Sequence, residues 1–485
     1  MLQTNIKKNT KIVCTIGPAS DTTEMIRKLV ENGMACMRLN FSHGSYDEHL
    51  AKLLKARALE KEGVFIPVML DTKGPEIRCH TMTDDKINIA KGSIVRLSMT
   101  EVVGTPEKIS VNFPNLYDDC SAGNHIKIDD GKLDLLVKDK DEKKREIICE
   151  ALNAHELGSK KGVNCVGARL SMPFISDKDR QDLIWGCENS VDFISASFVR
   201  NAQDVKDIRT LLIEHGHPEI MIISKIENVE ALSHIEEIVD ESDGIMVARG
   251  DLGVEIPPEE VPLIQKELID LCRKEGKPVI TATQMLDSMT HSPIPTRAEV
   301  SDVATAINES SDCVMLSAES ASGEYPVESV QMQARIAATM ERQLNFEQLA
   351  KEAYDSSEKN NNDAIANSIA NTAKLINAKL IVSFTETGAS SRRISKARPC
   401  CPILSISNKE KTALQNGLYW GIYSTYIPTR MPDFIEDMEV LAIVHAKELG
   451  LQPGDQVIIA GGTPTGAGKT NFMRIIQIPQ NRDLL

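Results

Sequence analysis

Short apolar, β-branched runs recur along the chain as far as residue 319, each followed by a stretch in which apolar residues return every three or four positions. This alternation predicts repeated βα units rather than a helical bundle or a β sandwich. Eight units are readable, with strands at KIVCTIG (11–17), ACMRLNFS (35–42), FIPVMLD (65–71), DFISASFV (192–199), EIMIISKI (219–226), GIMVARG (244–250), PVITATQ (278–284) and CVMLSAE (313–319). Eight parallel strands in this order predict an α/β chain built on a closed (β/α)8 TIM barrel.

Two regions break the rhythm. Between the third and fourth strands, SIVRLSM, HIKIDDGKLDLLV and EKKREIICEAL are short alternating runs separated by turn residues, which predicts an inserted small β-barrel domain. The mixed-sign run KDKDEKKRE (138–146) reads as a solvated hairpin and not as a ligand patch. After residue 343 a polar link, EAYDSSEKNNND, leads into a helix and then the strands KLIVSF, CPILSIS, GIYSTYI, QVIIAGG and MRIIQI, a separate α/β domain. The expected division is a barrel from residues 1–74 and 169–343, an inserted lid at 75–168, and a C-terminal domain at 344–485.

A formal charge of −15 makes nucleic acid and anionic membranes poor partners, so an anionic ligand needs a local cationic site. No run is long and apolar enough to span a bilayer, and no export signal precedes the first strand, so a cytoplasmic location is expected. Eleven cysteines without a CxxC pair read as reduced, mostly buried hydrophobes, and the adjacent Cys400 and Cys401 cannot form a zinc site alone.

In a β/α barrel the chemistry gathers at the C-terminal strand ends. Here those ends carry Arg38, Asn40 and Ser42 on strand two, and Asp71 and Thr72 on strand three. Lys225 and Glu227 follow on strand five, Gly250 and Asp251 after strand six, and Thr283 on strand seven. Lys225 and Glu227, two apart, point to one face of their strand and could simply pair. With Asp251 in the next turn, however, two carboxylates suit Mg²⁺, which takes oxygen ligands and borrows the rest of its shell from water and substrate phosphate. Arg38 offers a planar fork and Lys225 a mobile point charge for a phosphoryl group. Composition and spacing reach only a metal-assisted reaction on a small anion. A Schiff-base aldolase and an enolase-like enzyme using Lys225 as base stay open, as does a binding protein that kept the fold without its reaction.

RLNFSHG, DTKGPEIR, ISKIEN, ARGDLG and ATQML, in order on the right strands, resemble the pyruvate kinase family, as do EGKPVITATQMLDSM and PTRAEVSDVATAI. The resemblance covers nearly the whole chain. It implies phosphoryl transfer from phosphoenolpyruvate to ADP, giving pyruvate and ATP in glycolysis. Lys225 would stabilise the migrating group, Glu227 and Asp251 would hold Mg²⁺, and Arg38, Gly250, Asp251 and Thr283 would contact phosphoenolpyruvate, with Thr283 near the protonated carbon. Asn40, Ser42, Asp71 and Thr72 match the family's K⁺ ligands, and the acidic Glu76 implies K⁺ dependence. Nucleotide phosphates would meet Arg78 from the barrel and Lys161 from the lid, with His43 and Asn40 on the nucleotide side. The loop TETGAS (385–390) resembles the family's effector-phosphate loop, implying that Thr385, Thr387, Gly388 and Ser390 bind a phosphorylated activator. GGTPTGAGKTN (461–471) is not a P-loop, because the glycine required five positions before Gly468 is Thr463. It can still present amides and Lys469 to a phosphate. A homotetramer is also implied. NCVGARL has Cys165-Val166 where the family usually has Leu-Pro, and SAES replaces SGET, which touches the lid hinge and strand eight but no catalytic group.

Overall fold

The computed structural model describes residues 8–358, 360–463, 466, 468 and 470–480. All eight anticipated barrel strands form: β1 (Lys11–Thr15), β2 (Met34–Asn40), β3 (Val68–Asp71), β4 (Phe193–Ala196), β5 (Met221–Ile226), β6 (Gly244–Ala248), β7 (Val279–Ala282) and β8 (Cys313–Leu316). They close in sequence order, every pairing parallel. The strands are mostly apolar because both faces are buried, and the charged residues Arg38, Asp71 and Lys225 lie toward C-terminal strand ends. Val13, Cys36, Met69, Phe193, Ile223, Met246, Ile280 and Met315 fill the interior, while Ile12, Met37, Leu70, Ile194, Ile222, Val247 and Val314 join the larger core under the helices.

Helix starts follow local chemistry. Ser45 with Glu48, and Thr296 with Glu299, form capping boxes that satisfy otherwise orphaned backbone N–H groups. The first of these fixes the helix Tyr46–Glu60 directly behind the Asn40–Ser42 turn, so the loop leaving β2 is anchored at both ends.

The insertion forms a seven-stranded sheet, ordered Ile77–Arg78, Gly162–Val166, His125–Ile128, Leu133–Asp141, Glu146–Ala151, Ile94–Ser98 and Lys108–Ser110. Its two edges meet at a Cys79–Val111 bridge, so the sheet curls around its own core of Ile126, Leu133, Val95, Leu97 and Ile147. The charged run 138–146 is the hairpin between two of these strands. At the hinge departure Cys165 is buried, its sulfur crowded against that of Cys120.

In the last domain β9 (Leu380–Phe384), β10 (Ile403–Ser407), β11 (Ile422–Tyr426), β12 (Gln456–Gly461) and β13 (Phe472–Gln477) order as β11-β10-β9-β12-β13, with only β13 antiparallel. The polar link is partly helical, since a helix Phe346–Asp355 takes up EAYD. This domain plugs the floor of the barrel. Leu418 joins the barrel's interior cluster, and Arg398, stacked over Trp420, ion-pairs with Asp312 at 2.9 Å and donates to the Ser310 carbonyl. Lys411 pairs with Asp192 at 2.9 Å.

Candidate active site

The strand ends converge as barrel geometry requires. Asn40 and Asp71 are partners in the β2–β3 register, and Asp71, 1% exposed, is the hub. Its Oδ2 accepts from Arg38 Nε at 2.6 Å and its Oδ1 lies 3.3 Å from Lys225 Nζ. Lys225 also reaches Glu227 Oε1 at 2.9 Å and the Ser197 hydroxyl at 2.9 Å. Arg38 donates a further hydrogen bond to Thr15 Oγ1 at 2.8 Å.

The electrostatics are those of a buried, mutually supporting cluster. Burial alone would raise the Asp71 carboxyl, but Arg38 and Lys225 outweigh it and hold it below the ordinary carboxylate range. Burial likewise works to lower Lys225, yet Asp71 and Glu227 drive it above its usual value. Its carboxylate partners thus favour the ammonium, a setting opposed to the free amine that a Schiff-base lysine or a lysine base must offer.

Glu227 moves the other way, up to about 7, through burial first and through the neighbouring Asp251 against the pull of Lys225. One ammonium serves two acids; Asp71 has Arg38 besides, whereas Glu227 faces a second carboxylate. Three acids, Asp71, Glu227 and Asp251, thus surround two cations, Arg38 and Lys225, and a further cation beside Glu227 and Asp251 would relieve the repulsion. Among the described residues no group of three or more His, Cys, Asp or Glu could hold a metal. Two carboxylates match an ion that completes its shell with water and phosphate oxygen.

Gly250 and Asp251 lie in the first turn of a helix, Arg249–Glu255, and not in an open glycine loop. Thr283 sits one residue beyond β7 with φ 69°, a strained setting for a β-branched residue. Its Oγ1 accepts from Gly250 N at 2.8 Å, which ties the ends of β6 and β7 together. Arg249, paired with Asp302 at 2.5 Å, donates to the Thr283 carbonyl at 2.7 Å and holds the strained turn.

Ser197 was not singled out in the sequence. It lies just after β4, where the same strand-end rule would have found it, and its hydroxyl contacts Lys225, Asp71 and the Thr72 carbonyl. Next to it Phe198, with φ 57°, donates its N–H to Glu227 Oε2 at 2.5 Å. Gly74, at φ 73°, passes so close to Ser197 and Phe198 that a Cβ there would meet both at 2.8 Å. Only glycine fits.

Asn40 Oδ1 accepts from Ser42 N at 3.1 Å, and Thr72 Oγ1 accepts from Ser197 N at 3.1 Å. The four oxygens expected for K⁺ therefore come from adjoining strand ends. A cavity of about 790 Å³ opens from Glu227 and Asp251 to the lid residues Asp130, Asn164 and Cys165. Glu255, whose carboxyl burial pushes up to about 7, accepts from Asn164 across this gap at 3.3 Å.

Arg78, expected on the barrel, lies on the lid strand Ile77–Arg78, because DTKGPEIR runs out of β3 into the lid sheet before its last residue. It pairs with Glu76 at 2.6 Å and adjoins Gly162 in the register, beside Lys161, which pairs with Asp129 at 3.0 Å. Both cations expected at the nucleotide phosphates thus belong to the lid. His43 is exposed, and its carbonyl accepts from His49 Nε2 at 2.9 Å.

His49 is 3% exposed, stacked on Phe41 at 4.0 Å, with Nδ1 unpartnered. Burial lowers its pKa to about 4 from an ordinary 6.5, against the His43 hydrogen bond. A lowered histidine resists protonation only when folded, so stability is intact above pH 6.5 and is lost as pH falls toward 4, by roughly 3 kcal/mol. His49→Phe is expected to flatten that part of a urea-midpoint-versus-pH curve; an unchanged slope would contradict the assignment.

In the C-terminal domain Thr385, Thr387 and Ser390 face Gly462, Gly466, Gly468 and Thr470 across a cleft of about 20 Å³. Gly388 donates its N–H to Thr385 Oγ1 at 2.9 Å, and the Ser390 and Thr470 hydroxyls hydrogen-bond across the cleft. Lys469 lies outside the described residues.

Comparison with known proteins agrees with this arrangement. A family model described as pyruvate kinase, barrel domain, matches residues 7–330, and one described as pyruvate kinase, alpha/beta domain, matches 363–476. Pyruvate kinases of Staphylococcus saprophyticus and Staphylococcus aureus (strain MRSA252) are each 48% identical over 471 residues, 96% of this chain and 80% of theirs. The crystal structure of a pyruvate kinase from Cryptosporidium parvum matches with a TM-score of 0.91 at 37% identity, covering 98% of this chain and 97% of that one. The chain therefore belongs to the pyruvate kinase family and is a phosphotransferase.

Proposed function

We propose that this enzyme transfers the phosphoryl group of phosphoenolpyruvate to ADP, giving pyruvate and ATP in glycolysis, with Mg²⁺ and K⁺ as its cations. The observation that carries this reading is the ammonium of Lys225, fixed by Asp71, Ser197 and Glu227 beside the Arg38 fork, with Glu227 and Asp251 on the wall of the lid cavity. Arg38 orients the substrate phosphate, and Lys225 follows the group as charge spreads over its oxygens. The remaining enolate takes a proton at carbon from the Thr283 side, and the lid brings Arg78 and Lys161 to the nucleotide phosphates while excluding water. Glu227 and Asp251 would hold Mg²⁺, which when bound neutralises developing phosphoryl charge. Asn40, Ser42, Asp71 and Thr72 would hold K⁺. Glu76 beside Arg78 is the residue that ties the reading to monovalent-ion dependence.

The 385–390 loop, opening the helix Ala389–Lys396, is read as the seat of a phosphorylated activator. The described residues leave a cleft of about 20 Å³ beside this loop. A homotetramer and a cytoplasmic location belong to the same reading. Among the described residues no helix is long and apolar enough to cross a membrane.

A lactate-dehydrogenase-coupled assay tests the whole. Pyruvate is expected only with Mg²⁺ present, at a rate that collapses in buffer free of Na⁺ and K⁺ and returns on adding K⁺. Sugar phosphates or nucleoside monophosphates, added singly at sub-saturating phosphoenolpyruvate, are expected to include one activator. Equal rates with and without K⁺ would refute the K⁺ assignment, and silence toward every phosphate would refute the effector loop.

A further inference from the structure

The adjacent cysteines have no role in the barrel chemistry. They lie in the turn between the helix Ala389–Lys396 and β10. Ten of the eleven cysteines are buried, and Cys400 is the one partly open to solvent. It also lines a cavity of about 250 Å³, the liquid volume of roughly eight waters, together with Asn371, Lys374, Arg398 and Glu347.

Arg398 is 3% exposed. Its two Nη atoms are used on Asp312 and on the Ser310 and Ser395 carbonyls, but its Nε has no partner. That N–H is closed to solvent, so an anion in the cavity meets Arg398 through its charge at close range and not through a hydrogen bond to Nε. Lys374 adds a second cation. Its own partner, Glu347 at 2.8 Å, is an exposed acid in a pair that solvent weakens.

We propose that Cys400 is a modification site that accepts a mixed disulfide from small, carboxylate-bearing disulfides, the acid group of the adduct entering the cavity beside Arg398 and Lys374. Reactive thiols sit in partly exposed, electropositive places with a second thiol at hand, and this turn supplies all three features. The neighbouring Cys401 thiol, with Lys374 and Lys379 farther off, pulls the Cys400 thiol down to about 7. Burial pushes Cys14, Cys36, Cys149, Cys187, Cys272 and Cys313 upward. In the reaction the Cys400 thiolate attacks one sulfur of the disulfide. The new Cys400–S–S–R bond forms as the R–S–S–R bond breaks, and the departing thiolate takes up the proton that Cys400 released. The small disulfide is the oxidant, and Cys401 can later displace the adduct by attacking Cys400.

The test treats the reduced full-length chain with 3,3′-dithiodipropionate, with neutral bis(2-hydroxyethyl) disulfide, or with cationic cystamine. Intact-mass and peptide mapping locate the adduct, and each rate is divided by that of the urea-unfolded chain to remove intrinsic reactivity. The Cys401→Ala variant, which cannot displace the adduct, is used for mapping. A single first adduct on Cys400 is expected, absent in Cys400→Ser, with the normalised rate at least about fivefold higher for the anionic than for the cationic disulfide. Lys374→Ala is expected to shrink that preference while leaving the position unchanged. First modification at another cysteine, a folded chain that stays unmodified, or a normalised preference at or below one overturns the proposal.

Discussion

Lys225→Met is expected to lower the rate of phosphoryl transfer by about 10²- to 10³-fold, the usual cost of removing one preorganised charge from the transition state. Methionine keeps most of the side chain's length and volume, so the barrel mouth stays filled and the ammonium alone is lost. The cost should fall on kcat more than on the KM for phosphoenolpyruvate. Arg38, the residue that orients the ground-state phosphate, remains in place, while the point charge that tracks the group in flight is gone. Coupled kinetics on the variant beside the parent chain check this. Parental kcat, or a defect confined to KM, would remove Lys225 from its assigned role.

Asp71→Asn is expected to destabilise the barrel by about 3–5 kcal/mol, because it withdraws the shared counter-charge from two buried cations. The amide side chain would keep the shape and one acceptor oxygen, yet Arg38 and Lys225 would then confront each other across a neutral group. Urea unfolding followed through Trp185, which packs against Phe41 behind β2, reports on this part of the chain. The combined variant with Lys225→Met should lose less than the sum of the two single changes, since removing the lysine removes half the repulsion. Additive losses would mean that Asp71 and Lys225 are not coupled. Since Arg38 and Lys225 hold the Asp71 carboxyl below its ordinary 3.8, its contribution is complete at neutral pH. That contribution disappears only as pH falls through the depressed value, below 3.8.

The barrel was legible because parallel strands buried on both faces must be written as unbroken apolar runs, and CVML or VITA can hardly be anything else. The ends of those runs were less so. Thr283 and Gly250 look like strand or loop residues by pattern, but the positive φ at Thr283 and the short helix carrying Asp251 come from tertiary contacts with Arg249 and Asp302. Polar residues at strand ends pointed to Arg38, Asp71, Lys225 and Glu227. The strand-end rule reaches Ser197 as well, but a small hydroxyl between apolar neighbours gives no hint of its partners until Asp71 and Lys225 are seen to meet there. Naming Arg78 with the barrel conflicts with a lid that begins at residue 75, because a motif continuous in sequence crosses from one domain to the other in mid-run.

The leucine that the last domain inserts into the barrel's interior has a consequence for how the chain can be divided. Leu418 sits among Val13, Cys36, Phe193 and Met315, so the bottom layer of the barrel is finished by a residue encoded a hundred positions after the eighth strand. A fragment cut after the last barrel helix would leave an apolar socket open to water at the end opposite the catalytic mouth. The module boundary drawn by strand counting is therefore not a boundary of the hydrophobic core.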